Sequence, residues 1–443
     1  MKRVISVSGL ATLAVLCGAA AKAQSTPELE QLAERIRLRP TDYDATYDYV
    51  RLAVEQQAYD EAISALERLL MFNPKLGRAH MELGLLYVKT GAYPFATRHL
   101  REALKSSDIS AAQRAQIEAQ LPEFEKQTEA SRFSGSVQLG LRAQSNAAYI
   151  PLGGLYQVGG VQSFSPSGRQ SDWNSFELAQ IAHDYDLQNQ RGDVIETRGL
   201  VYSTQQFALP QYNVALFSAS VGPRFALTEI SPGLSVKPYV SGAASLVGDL
   251  NYVNTASAGL TFRQTFGDRL LLEPGFDWTQ LWVNPGGAPG AATAQTFATL
   301  ASGDVFTGSL SGSLRLLDAV RLEGRTAFSR ANAFYVASQS SNQVDVQAML
   351  RFEVDPPLPE IPRRWTIAPY ARFTQLAFDA PNPLVDFFHA RQDNALTYGL
   401  ALDAPVDARF GFSGHLEFLR NDSNISSYRL HDVSVTFGPT GKF

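Results

Sequence analysis

The hydrophobic pattern of this chain has two periods, and it changes from one to the other near Ser131. Between Ser25 and Ser131, apolar residues recur three and four apart, the spacing that gives a helix one buried face. The pattern also repeats at 34 residues: Tyr59, Ala62 and Leu66 return as Tyr93, Ala96 and Leu100. Leu83-Gly84 and Tyr87 hold first-helix positions of the second copy, and Pro74 closes the first. That interval is the period of tetratricopeptide helix pairs, in which small residues such as Ala62 and Ala96 let paired helices approach. Repeats are expected near 43–76 and 77–110, with Pro40 ending an earlier partial copy and a last helix over 111–129.

Beyond Ser131, polar and apolar residues alternate one by one. Val344, Val346, Ala348, Leu350, Phe352 and Val354 stand against Asp345, Gln347, Met349, Arg351 and Glu353, so a strand here has one greasy and one polar face. Fourteen such strands are expected, near 133–145, 172–187, 194–206, 213–228, 234–247, 252–266, 269–282, 303–317, 320–332, 342–355, 364–378, 391–404, 408–420 and 425–437. With the helical half in the periplasm, odd-numbered connections face the cell exterior, where bacterial barrels carry their longer loops. The three longest, 146–171, 284–302 and 379–390, are all odd-numbered. The expected fold is an all-α tetratricopeptide module over 24–130, followed by an all-β transmembrane antiparallel barrel over 131–443. A soluble all-β protein would alternate too. Trp173, Trp278, Trp282 and Trp365 favour the membrane, because they fall near predicted strand ends, where amphipathic rings meet lipid headgroups.

The same alternation assigns a lumen. Arg142, Glu196, Arg198, Arg263, Glu273 and Asp277 are expected to point inward. So are Arg315, Arg321, Glu323, Arg325, Asp345, Arg351, Glu353, Arg372 and Glu417, because an Arg at the lipid midplane costs about 2–4 kcal/mol. Charges of both signs suit bracing ion pairs better than a ring of one sign at an ion-selective constriction. On the helical half, Tyr43, Tyr47, Tyr49, His80 and Tyr87 are candidates to line a groove for a protein or peptide.

Lys2 and Arg3 before an apolar run to Ala21, then Ala21-Lys22-Ala23, predict an export signal over 1–23 cleaved before Gln24. Cys17 is the single cysteine, so the processed chain would hold no disulfide and no thiolate metal site. Past residue 23 no apolar stretch approaches the roughly 20 residues of a membrane helix, which leaves strands to span the bilayer. The net charge of −5 argues against a nucleic-acid partner. No metal-helix, phosphate-loop, nucleophile-elbow or calcium-loop motif appears, so no catalytic, cofactor or metal residues are expected. His183 and Asp184 are adjacent on a strand and point to opposite faces, and His80 and His99 lie at no ligand spacing. Arg191-Gly192-Asp193 reads as a turn.

The first barrel strand, Gly135-Ser136-Val137-Gln138-Leu139-Gly140-Leu141 running to Ser145-Asn146, together with the domain order and strand number, resembles the surface lipoprotein assembly modifier (Slam) family. Membership would imply delivery of a protein or surface-lipoprotein client across the outer membrane of a Gram-negative bacterium. The repeats would receive the client in the periplasm and the barrel would offer its route. Phe443, with Val433, Val435 and Phe437, would address the barrel assembly machinery, although Pro439 and Gly441 depart from the usual apolar ending. Polysaccharide exporters share the domain order with longer repeat arrays, and a closed structural scaffold is the third reading.

Overall fold

The computed structural model describes residues 27–164, 168–189, 191–248, 250–284, 300–357, 361 and 363–443. The expected signal over 1–23, the run Gly286–Gly290, and Leu358, Pro359, Glu360 and Pro362 of the proline-rich turn lie outside the described residues. The chain divides into two compact units, Met1–Glu129 and Ala130–Phe443.

In the first unit six helices follow one another: α1 (Pro27–Leu38), α2 (Tyr43–Glu55), α3 (Tyr59–Phe72), α4 (Gly77–Lys89), α5 (Tyr93–Lys105) and α6 (Ala111–Thr128). The starts of α2 and α4, and of α3 and α5, are each offset by 34 residues. Asp42 opens α2 by accepting the Ala45 amide at 3.1 Å, which satisfies a donor the helix itself cannot. Helix α4 has no cap of its own, and the Asp108 carboxylate, from beyond α5, accepts the Gly77 amide at 3.0 Å. Leu66, Leu69, Leu83 and Leu100 are fully buried between the helices, each worth about 1.5–3 kcal/mol. Gly84 lets α4 approach α5, since a Cβ there would meet Leu100 Cγ at 2.8 Å and the Ala96 carbonyl at 3.2 Å.

The second unit is a closed antiparallel barrel of fourteen strands. They are β1 (Ser131–Gln144), β4 (Asp172–Asp186), β5 (Val194–Gln206), β6 (Val214–Ala226), β7 (Leu234–Val247), β8 (Leu250–Phe266) and β9 (Leu270–Val283). The second half is β10 (Gly303–Leu317), β11 (Val320–Ala333), β12 (Ser341–Val354), β13 (Trp365–Phe378), β14 (Gln392–Pro405), β15 (Phe410–Ser423) and β16 (Leu430–Lys442). Each pairs with its neighbours in sequence, β1 reaching past a small hairpin to β4, and β16 returns to β1. We call the end at Ser131 and Phe443 the near rim. The three longest connections all leave the opposite, far rim.

Two features differ from the sequence reading. The last strand is shifted toward the C-terminus, ending at Lys442 rather than near 437, because 425–429 is used as the connection from β15. The first long connection carries its own hairpin, β2 (Leu155–Val158) with β3 (Val161–Phe164), whose strands are too short to register as a period. That hairpin is tied to its neighbours. The Gly159 and Gly160 amides donate to the carbonyls of Leu384 and Val385 at 2.9 and 2.8 Å, and the Gln157 amide donates to Ser427 Oγ at 2.6 Å. The loops after β1, β13 and β15 therefore form one bonded assembly on the far rim.

The β1–β16 seam closes the cylinder. Pairing runs from Ser136 to Gln138 and from Leu141 to Gln144, and is interrupted at Leu139-Gly140, opposite Gly438 and Pro439. Proline lacks the amide a ladder needs. At the far end Asp432, which is buried, accepts from the Ser145 hydroxyl at 2.9 Å and the Asn146 amide at 2.8 Å. Gly135 and Phe443 exchange both backbone bonds, at 3.0 and 3.1 Å, at the near rim. Gly438 sits so close to β1 that an added Cβ would overlap the Leu139 carbonyl oxygen. Replacing Gly438 by Val is expected to push the closing strands apart and leave most of the protein without a closed barrel. Heat-modifiable gel mobility measures this, and parent-like mobility would contradict the seam geometry.

Candidate functional site

Because side chains alternate along a strand and directly paired residues share a face, the register sorts the whole wall. One face carries exposed Val137, Leu139, Leu141, Phe217, Phe276, Val346, Phe412 and Phe437, and is the outside. Trp173, Trp278, Trp282 and Trp365 share that outer face. Trp173 and Trp282 stand next to the far rim and Trp365 opens β13 at the near rim, while Trp278 lies deeper and donates its indole N–H to Asp304 at 3.1 Å. Phe437 and Phe443 point outward as well, Phe443 lying against Gly135. His183 also faces out, stacked on Phe133 at 4.2 Å, whereas Asp184 faces in.

On the opposite face the register places Arg142, Glu196, Arg198, Arg263, Glu273, Asp277, Arg315, Arg321, Glu323 and Arg325. Asp345, Arg351, Glu353, Arg372 and Glu417 complete the set on β12, β13 and β15. Most are engaged in pairs. Glu196 is the centre of the densest cluster: Arg224 Nε donates to it at 2.6 Å and Lys237 Nζ at 2.8 Å. Arg198 reaches Asp184 at 2.6 Å, Arg263 reaches Glu273 at 2.7 Å, and Arg372 reaches Asp345 at 2.7 Å. Arg351 lies 3.4 Å from Glu323, and Arg315 turns to Asp268 in a near-rim turn at 2.8 Å. Tyrosines complete the bracing, Tyr370 donating to Glu417 at 2.8 Å and Tyr239 to Asp277.

Arg224, Lys237, Tyr239 and Tyr370 were not singled out from the sequence, yet their parity within β6, β7 and β13 was a signal that would have found them. Asp193, the last residue of the Arg-Gly-Asp turn, is 1 % exposed and accepts the Ala226 amide at 2.8 Å, so it belongs to the turn's own scaffold. The wall of β10 differs from the braced wall: Thr307, Ser309, Ser311 and Ser313 present small hydroxyls to the lumen. Among the described residues no group of three or more His, Cys, Asp or Glu could hold a metal ion.

The five groove candidates of the helical unit make different contacts. Tyr47 lies under the Arg78 guanidinium, 4.0 Å from its ring centre, and burial pushes its hydroxyl up to about 12. Tyr49 lines a separate pocket with Ala33, Ile36 and Arg68, and Tyr43 reaches Asn73 at 3.5 Å. His80 and Tyr87 do come together, through His99, which sequence spacing had set aside. His80 Nδ1 and His99 Nδ1 are 2.9 Å apart, the His99 ring stacks on Tyr87, and Tyr87 donates to Glu67 at 2.6 Å. A helix turn brings α4 and α5 residues together at positions that linear spacing does not relate. The His80 Nε2 contact of 3.0 Å to the Pro74 carbonyl requires its N–H there, so neutral His80 accepts at Nδ1 from His99.

Two outcomes follow from these clusters. Glu196→Gln leaves Arg224 and Lys237 buried without their carboxylate and is expected to cost about 3–5 kcal/mol, seen as a lower midpoint for barrel melting by heat-modifiable mobility. Burial, then the charges of His80 and Arg98, depress His99 below its ordinary value, with Glu67 and Glu102 opposing. The unfolded imidazole therefore binds its proton first, and the stability this pair gives is present above about pH 6.5 and lost as pH falls through the lower folded value. Helix melting followed by circular dichroism should move to lower temperature from pH 7.5 to pH 5, and less so in His99→Gln.

No protein-family profile and no curated protein sequence matches this chain. Among solved structures it is similar to an anion-selective porin from Comamonas acidovorans, with 9 % identity over 71 % of this chain and 99 % of the porin, at a TM-score of 0.36. A FadL homologue of Pseudomonas aeruginosa shares 9 % identity over 72 % of this chain and 90 % of its own, at 0.35. Over 23 % of its length this chain is also similar to MamA, residues 41 to the end, from Desulfovibrio magneticus RS-1, with 17 % identity, 66 % of that chain covered and a TM-score of 0.18.

Proposed function

We propose that this protein is an outer-membrane conduit that takes an exported protein client from the periplasm and delivers it across or into the outer membrane. The observation that carries the reading is the two-sided barrel wall: a closed cylinder with an apolar exterior and a polar, charged interior fits a bilayer and excludes it from the bore. The helical unit adds the receiving part. Its helix pairs, offset by 34 residues, have the form of tetratricopeptide repeats, which present a surface to peptides, and Phe95, Met71 and Phe72 are exposed on them. Ser131 entering at the near rim and the long connections at the far rim support a periplasmic place for this unit. A surface lipoprotein is the client that the Slam resemblance favours.

One observation favours a second reading, a conduit for a glycan. The hydroxyl-lined wall of β10 offers hydrogen bonds without bulk, which suits a hydroxylated passenger as well as a polypeptide. Deleting residues 24–130 tests the first reading: client display on intact cells, measured by antibody labelling, is expected to fall at least tenfold while the barrel still assembles. Undiminished display would overturn it, and a glycan copurifying with the full chain in place of protein would favour the second.

A further inference from the structure

A pocket of about 430 Å³ opens on the lumen across β9 to β12, near the near rim. Four charged side chains line it: Glu273, Glu323, Arg321 and Arg325. The two carboxylates are already satisfied from outside the pocket, Glu273 by Arg263 at 2.7 Å and Glu323 by Arg351 at 3.4 Å. The two arginines have no carboxylate within ion-pair distance among the described residues, and both are exposed to the lumen. Bracing therefore accounts for the acids of this pocket and leaves its bases unexplained.

The register sharpens the imbalance. Arg321 stands directly opposite Arg315 on one side and Arg351 on the other, so three guanidinium groups face the lumen from adjacent strands. Like charges directly opposite on a sheet destabilise it. Asp268 draws off Arg315 and Glu323 draws off Arg351, and Arg321 is left with the field of the row. Four residues further along β11, Arg325 lies between Ser311 and Gln347, which add a hydroxyl and an amide to its fork.

We propose that this pocket is an oxyanion-binding site, taking phosphate or carboxylate groups as they pass or reside in the lumen. Arginine's planar fork bonds such groups through two parallel N–H donors, and the neighbouring hydroxyl and amide complete their coordination. The site does not depend on the identity of the passenger proposed above, and its test reads binding, not surface display.

The test is calorimetric titration of the full chain in detergent at low salt with three probes: inorganic phosphate, a trigalacturonate and hexa-aspartate. Saturable binding is expected, and Arg321→Gln with Arg325→Gln should weaken it at least tenfold. A response to phosphate identifies a free anion as sufficient, whereas a response only to trigalacturonate or only to hexa-aspartate identifies an oxyanion carried by a glycan or a peptide. Should the double variant fail to assemble, Arg321→Lys with Arg325→Lys keeps the charge and removes the fork, and should weaken binding severalfold. No saturable binding of any probe, or variants that bind as the parent does, would overturn the proposal.

Discussion

A strand in hydrocarbon must bond every backbone amide and carbonyl to another strand, and the rest of this structure depends on how that demand is met. Thirteen of the strand junctions join neighbours along the chain, and only β1 with β16 joins its two ends. Closure therefore rests on a non-local seam that local turns cannot set in register. Here it is fixed at its two ends, by Asp432 against Ser145 and Asn146, and by the reciprocal bonds of Gly135 and Phe443. Between them Pro439 and Gly438 interrupt the ladder, and the one junction that completes the cylinder is also the one with the fewest paired residues.

Once the cylinder is closed, parity does the remaining sorting. Each strand contributes one face to the outside and one to the bore, and most of the charges fall on the bore side, although Glu177 shares the outer face with Leu139. Most meet diagonally, as partners of opposite charge on adjacent strands, as Glu196 does with Arg224, which braces the polar interior. The exceptions are informative because the rule is otherwise followed. Arg321 and Arg325 stand where pairing could have been arranged and was not, beside a wall of small hydroxyls that leaves room for something else.

The helical unit follows a different logic, in which local spacing repeats and stacking buries what one hairpin cannot. The close approach of Gly84 to Leu100 and the cap on α4 from Asp108 both come from the second half of the same 34-residue copy. The histidine contact between α4 and α5 lies in the same interface, and ties the packing of that pair to pH.

The sequence by itself determined the periods, and with them the two units, the helix pairs, the fourteen strands and the side of the wall on which each charge falls. These are local properties: a period of two or of 3.6 is written into neighbouring residues. What only the tertiary structure decided is which residues meet. Placing β16 five residues later than its alternation suggested, joining the hairpin β2–β3 to loops more than two hundred residues away, and bringing His80 onto His99 all depend on elements distant in sequence. So does the difference between a satisfied and an unsatisfied arginine, since Arg351 and Arg321 look alike along the chain and are separated only by Glu323 choosing one of them.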